Sequence, residues 1–106
     1  MYTVANRFIL KKGVAHKMAP AFTSGKELTE FEGFQKIEVG ISSVNEEQDE
    51  LNVVMYWENL ENFEAWKQSD AFKKSHSREV KGNGNGESPI ISNQIVISEI
   101  VSTLVV

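Results

Sequence analysis

The chain contains no cysteine. Disulfide cross-links, iron–sulfur clusters and thiol nucleophiles are therefore excluded. Histidine is almost as scarce, with only His16 and His76 present. Zinc needs three or four protein ligands, and no cluster of histidines and carboxylates along the chain offers them. Basic charge is also short. Eleven Lys and Arg stand against fifteen Asp and Glu, a net charge of −4. Nucleic-acid binding ordinarily demands a basic surface, so such a partner is not expected. No apolar run approaches the roughly 18 residues of a membrane span. The opening Met1-Tyr2-Thr3-Val4-Ala5-Asn6-Arg7 lacks the basic-then-apolar build of a signal peptide. A cytoplasmic protein with no membrane partner is the expectation.

What remains is an ordinary globular composition. Of 106 residues, 41% are hydrophobic and 25% charged. That length predicts a single domain over residues 1–106, and such a domain buries roughly two thirds of its unfolded surface.

Tyr2, Val4, Asn6, Phe8 and Leu10 alternate with Thr3, Ala5, Arg7 and Ile9, which predicts a strand over residues 2–10. Lys11-Lys12-Gly13 reads as a turn. Val14, Met18, Ala21 and Phe22 fall at helical spacing; Pro20 should kink or shorten that helix, and Gly25 is a plausible stop. Ile37, Val39 and Ile41 define one face of a second strand, from Phe34 to about Val44. The acidic segment from Asn45 to Glu50 reads as an exposed hairpin loop, and Leu51 to Trp57 as a third strand. Asn59 is a good N-cap for a short helix to about Gln68, with Glu61 in its first turn. Ser69-Asp70 is a second capping signal, predicting a further helix to about Val80. The glycine- and asparagine-rich tract from Gly82 to Pro89 cannot form regular structure. Ile90 to Val106 is β-rich.

The order β-α-β-β-α-β predicts an α+β fold of the ferredoxin-like, split βαβ kind. It has an antiparallel sheet with helices on one face. The other face would be open in a monomer, which predicts a homodimer with its sheets packed together as a barrel.

His76 follows Phe72 by four residues and precedes Val80 by four, so it projects from an apolar stripe. A lone imidazole suffices for haem, where the porphyrin supplies four nitrogens and the protein need add one axial ligand. On these residues alone, a surface histidine on an amphipathic helix is the simpler reading. Asn6 is the more pointed signal. It sits between Val4 and Phe8 on a face that should be buried, and an amide there is costly without a partner. A ligand would remove the anomaly, and an amide N–H can steer bound oxygen. For Trp66, core packing is the simpler reading. An indole pressed on a porphyrin could also distort the macrocycle, one of the levers a protein has over haem. Trp57 reads as strand or dimer-interface packing, and His16 as an exposed residue of the first helix.

Three segments together resemble the IsdG-type haem-degrading monooxygenases, of the antibiotic biosynthesis monooxygenase superfamily. They are Ala5-Asn6-Arg7, then Trp66-Lys67-Gln68-Ser69-Asp70-Ala71-Phe72-Lys73-Lys74-Ser75-His76, then Ser88-Pro89-Ile90-Ile91-Ser92-Asn93. Glu32-Gly33-Phe34 adds a weaker match, and the spacing between the parts is kept across essentially the whole chain. The resemblance implies a dimeric ferredoxin-like protein that binds one haem per subunit. It implies that His76 is the axial ligand to the haem iron, Asn6 the distal amide and Trp66 the residue that distorts the ring. The implied reaction uses haem as substrate and cofactor, with oxygen and an external electron donor, a reductase or small reductant. It opens the porphyrin and releases iron. Lys73, Lys74 and Arg78 are candidates for the propionates, and the glycine-rich tract for a flap. Two other readings stay open at this point: a haem-binding or stress-response module without turnover, and a cofactor-free monooxygenase acting on aromatic substrates.

Overall fold

The structure is a computed structural model that describes residues 1–70, 72 and 89–106. Its centre is a four-stranded sheet in the order β2-β3-β1-β4, with every neighbouring pair antiparallel. The strands are β1 (Tyr2–Lys11), β2 (Phe34–Ser42), β3 (Gln48–Trp57) and β4 (Ile90–Glu99). Among the described residues, helices α1 (Ala15–Thr23) and α2 (Leu60–Lys67) supply the second layer. The ferredoxin-like arrangement expected from the sequence is the one observed.

The period of two decides which side each strand buries. On β1, Val4, Phe8 and Leu10 are buried; on β3, the buried set is Asp49, Leu51, Val53, Met55 and Trp57. Both sets share the face under the helices, where they form two clusters. Phe8, Leu10, Leu51 and Val53 pack under Val14, Met18 and Phe22 of the first helical segment. Val4, Met55 and Trp57 pack under Phe63 and Trp66 of α2. Each fully buried side chain of this size contributes about 1.5–3 kcal/mol, so the clusters carry the sheet–helix layering. The opposite face has no helical cover among the described residues. None of the described helices is long and apolar enough to cross a membrane.

Pro20 does not end α1, which continues to Thr23 and closes at Ser24, one residue before the expected Gly25. A short 3-10 turn over Glu27–Glu30 was not expected, because four residues are too few to show a period. It brings Leu28 and Phe31 against the second cluster. Gly33 follows with φ +83°, and a Cβ there would collide with the Asn62 amide on α2. Glycine is required at that position for both reasons. Asn59 caps α2 as expected, its side chain accepting from the Asn62 N–H at 3.0 Å.

Three expectations need correction. The segment from Asn45 to Glu50 is not an exposed loop throughout. Asn45 Oδ1 accepts from the backbone N–H of Glu47 and Gln48, at 2.7 and 3.2 Å, and this closes the turn early. β3 therefore starts at Gln48, and Asp49 is only 2% exposed. Its Oδ2 accepts from the Gly13 N–H at 2.9 Å, while Lys12 Nζ stands 3.3 Å from Oδ1. Lys12 is itself anchored by the carbonyls of Ser43 and Asn45, at 3.0 and 2.7 Å. Of its two readings, Trp57 takes the first, strand packing: it is 0% exposed on β3, under α2. β2 ends at Ser42, short of Val44. β4 ends at Glu99, not Val106, because its partner strand β1 runs out: Tyr2 pairs with Glu99 and Ile100 N–H donates to the Met1 carbonyl.

The helix expected after Ser69-Asp70 does begin there. Ser69 Oγ accepts from the Phe72 N–H at 3.2 Å, a side-chain cap, and Asp70 and Phe72 are helical. The continuation towards Val80, with His76, lies outside the described residues, as does the glycine-rich tract.

Candidate functional site

The helices do not cover the whole of their side of the sheet. In the β1–β4 ladder Val4 pairs with Ile97, Asn6 with Ile95 and Phe8 with Asn93. Directly paired residues point to the same face, so all six lie on the helix side. Val4 and Phe8 are buried, yet Ile95 is 58% and Ile97 47% exposed. The result is an apolar strip that faces the helical layer and is left open. At one end Tyr2 donates its hydroxyl hydrogen to Glu99 Oε2 at 3.1 Å. The hydrogen bond and the charge of Glu99 raise the Tyr2 pKa, with a smaller contribution from burial, and keep it a neutral phenol. Towards the other end lies a pair of amides. Asn93 Nδ2 donates to Asn6 Oδ1 at 3.2 Å. This leaves the half-buried Asn6 Nδ2 without a partner among the described residues, in the middle of the strip.

Trp66 lies on the same side of the sheet, against the cluster that contains Val4. It ends an aromatic stack that starts in the core. Phe34 meets Trp57 edge-on at 5.4 Å, and Trp57 lies 6.0 Å from both Phe63 and Trp66. Trp66 in turn meets Phe72 edge-on at 4.8 Å. Its backbone carbonyl accepts from both the N–H and the hydroxyl of Ser69, at 3.0 and 2.6 Å. One serine thus terminates α2 and caps the next helical turn. The indole is half-buried and held by contacts to Trp57, Phe63 and Phe72.

The structure places two of the three sequence-derived site residues on the same face. Trp66 packs against the cluster that contains Val4, and Asn6 stands two residues further along β1. His76 lies outside the described residues. His16 is exposed on α1, as expected. Two small clefts, of about 140 and 180 Å³, lie beside Arg7, Ile9 and Glu50 and beside the β2–β3 turn. Neither involves Asn6 or Trp66, and both are below the roughly 300 Å³ at which small-molecule pockets begin.

Sequence reasoning missed Asn93 as a participant. The signal was present in the alternation of β4: if Ile95 and Ile97 face the helices, so does Asn93. The exposure of Ile95 and Ile97 could not be read from sequence, since both look like core residues.

A porphyrin is a flat apolar disc with polar edges, and the site has matching features. Its strip and the indole and phenyl rings of Trp66 and Phe72 are apolar. The Asn6 amide interrupts the strip with a polar group. No basic side chain stands on the strip among the six paired residues.

Comparison with known proteins agrees with this fold. Residues 1–78 match the family model of antibiotic biosynthesis monooxygenases. A heme oxygenase (staphylobilin-producing) of Staphylococcus haemolyticus is 43% identical over 104 residues, covering 98% of this chain and 99% of the relative. A heme oxygenase (staphylobilin-producing) of Staphylococcus saprophyticus is 40% identical over 104 residues, with the same coverage. Among solved structures, the heme-degrader MhuD of Mycobacterium tuberculosis, with two hemes bound in its active site, superposes with a TM-score of 0.65. It shares 18% identity and covers 96% of this chain and 98% of its own; that likeness is one of fold. With sheet order, matched domain and near-full-length relatives in agreement, the chain belongs to the antibiotic biosynthesis monooxygenase family, in its IsdG-type haem-degrading branch.

Proposed function

We propose that this chain is a haem-degrading monooxygenase. It binds haem on the β1–β4 strip, opens the porphyrin with oxygen and electrons from an external donor, and releases the iron. The observation that carries the reading is the exposed pair Ile95 and Ile97 beside the Asn6 amide, on the same face of the sheet as Trp66. Exposed apolar surface costs free energy in the free protein, and a flat apolar ligand would cover it while the Asn6 amide offers an N–H to a polar group on that ligand. The staphylobilin-producing relatives, similar along nearly their whole length, support the same chemistry.

Each residue has a distinct task. Ile95 and Ile97 bind one face of the macrocycle and exclude water from it, over the buried Val4. Asn6 directs an N–H into this dry space, where a hydrogen bond to a charged acceptor is stronger than in water. Trp66 presses on the ring and is prevented from yielding by Trp57 behind it. His76 is assigned as the axial ligand, because an imidazole is the one side chain of this cysteine-free segment suited to haem iron. Haem supplies the redox-active metal and is itself the substrate.

The active form is proposed to be a homodimer. The helix-free face presents Ala5, Val54, Tyr56 and Val96, and a second copy would cover it. A reaction that consumes cellular reductant fits a cytoplasmic place.

The test is to add haemin to the purified protein, then ascorbate or a reductase under air with catalase present, and to follow the Soret band and free iron. Loss of the band with iron release supports the enzyme. A stable Soret band under these conditions would leave only a haem-binding module.

A further inference from the structure

We propose that Trp66, Trp57 and Tyr2 form a one-electron path that carries an oxidising equivalent from the haem side of the sheet to solvent, where Tyr2 is re-reduced. The source of the oxidant rests on the haem-site reading. The path itself rests on where the three side chains stand.

In a chain without cysteine, indole and phenol are the side chains that most readily give up one electron. The chain holds two tryptophans and two tyrosines. Three of the four are consecutive neighbours on the helix face. Trp66 and Trp57 have ring centroids 6.0 Å apart. Tyr2 is the direct partner of Trp57 in the β1–β3 ladder, which places their Cβ atoms roughly 5 Å apart. The Tyr2 hydroxyl donates to Glu99 Oε2 at 3.1 Å, and Glu99 is exposed. The fourth, Tyr56, lies on the helix-free face. Lys36 Nζ stands 4.6 Å from its ring centroid, and a cation over a ring opposes removal of an electron from it.

Proton acceptors give the path its direction. An oxidised indole or phenol is a strong acid, and the oxidising equivalent settles where the proton can leave. Trp57 Nε1 is buried with no hydrogen-bond partner among the described residues. Its proton has nowhere to go, and an unpaired positive charge there is costly. Trp57 therefore passes the charge on. At Tyr2 the acceptor is in place. Trp66 gives one electron to the oxidant, Trp57 gives one to Trp66, and Tyr2 gives one to Trp57 as its phenolic proton moves to Glu99. The net change is one electron on the oxidant, one proton on Glu99 and a neutral phenoxyl radical on Tyr2. Ascorbate or a thiol in solvent returns a hydrogen atom to Tyr2, and Glu99 releases its proton to water. The oxidant is hydrogen peroxide acting on ferric haem. It takes up two electrons and two protons, so two passes reduce one peroxide to two waters, and the protons released through Glu99 balance those consumed. Trp66, set against an oxidising ligand, is thereby spared irreversible oxygenation.

The path is tested first without haem. Azide radicals made by pulse radiolysis oxidise tryptophan in preference to tyrosine, and Trp66 is the more exposed of the two tryptophans. The indolyl absorption should decay as the phenoxyl absorption rises, in a first-order step whose rate does not depend on protein concentration. Tyr2→Phe should abolish that step, and Tyr56→Phe should leave it unchanged. Glu99→Gln keeps an acceptor for the hydrogen bond but no base for the proton, and should slow the step several-fold. Then the ferric haem-loaded protein is mixed with hydrogen peroxide and frozen. Electron paramagnetic resonance should show a phenoxyl radical that is lost in Tyr2→Phe. In that variant, mass spectrometry should find more oxygen added to Trp66. Absence of first-order transfer in the unmutated chain overturns the proposal, as does transfer that survives Tyr2→Phe or a rate unmoved by Glu99→Gln. So does a haem-loaded protein in which Tyr2→Phe alters neither the radical nor the damage to Trp66. A chain that takes up no haem, yet passes the radical to Tyr2, sinks the haem reading and leaves the path in place.

Discussion

Trp57 and Trp66 lie with ring centroids 6.0 Å apart and planes inclined by 35°, the first wholly buried on β3 and the second half-exposed on α2. The pair separates stability from function. Trp57→Ala should cost about 3–5 kcal/mol, a large part of the roughly 5–15 kcal/mol available to a domain of this size. Trp66→Ala empties a half-open site and should cost about 2 kcal/mol or less. Urea unfolding of both variants checks the ranking. Turnover should rank the other way among folded proteins. Trp66→Phe should keep more haem-degrading activity than Trp66→Ala, and haem binding should fall less than turnover in each. Unchanged turnover in a folded, haem-loaded Trp66→Ala would reduce the residue to packing.

Asn6→Ala should bind haem with a near-normal Soret titration and lose most of its turnover, since the lost group offers a hydrogen and not the main binding surface. Asn6→Asp distinguishes donor from mere polarity, because an ionised carboxylate can only accept. It should be no more active than the alanine variant. Full single-turnover rates in both would remove Asn6 from the chemistry.

His76→Ala should weaken haem ligation while leaving the fold intact. The other histidine, His16, is exposed on α1 and offers no substitute. Magnetic circular dichroism of the ferric protein reads axial ligation directly, and an unaltered spectrum in this variant would contradict the assignment.

Asp49 governs a pH dependence. Burial pushes its pKa up, but the Gly13 N–H, the Lys12 ammonium and the Ser43 hydroxyl together outweigh burial, so the net shift is downward. A carboxyl with a folded pKa below its unfolded value adds stability above the unfolded value of 3.8. That stability is lost as pH falls towards the folded pKa. Melting temperature should therefore drop on acidification below about pH 4, and Asp49→Asn should be less stable than the unmutated chain at pH 7 with a shallower fall in acid. Parallel acid profiles would show that the carboxylate is not the group responsible.

Sedimentation equilibrium at micromolar concentration should return twice the chain mass of 11.9 kDa. Ala5→Arg or Val54→Arg, on the helix-free face, should shift the distribution towards monomer without unfolding it. A mass of one chain throughout the range would remove the dimer.

Strands β1 and β3 were legible in the sequence because one side of each is buried along its length, and a period of two survives wherever burial is one-sided. The Asn59 cap was legible for a local reason: its partner is three residues away. Asp49 was not. Acidic residues beside a turn usually mean solvent, and the groups that overturn this, Lys12 and Gly13, are 36 residues or more distant along the chain. Asn6 was legible as an amide out of place among Val4 and Phe8. Its partner Asn93 was not, because only the register of two strands from opposite ends of the chain brings them together. Trp66 was visible as a residue, while its role as the outer member of a stack depended on Trp57 being inward.

The site is assembled from the two most widely separated strands of the fold. Asn6 and Asn93 are 87 residues apart, and the ladder that joins them runs from Tyr2 with Glu99 to Leu10 with Ile90. Closing so long a loop must be offset by contacts that exist only after it is closed, whereas the β2–β3 hairpin forms locally. The expected folding order puts the hairpin and its helices first and β4 last. Substitutions on β4 should then act mainly on the unfolding rate, with little effect on the folding rate. In a folding chain, the haem strip would be the final surface to appear.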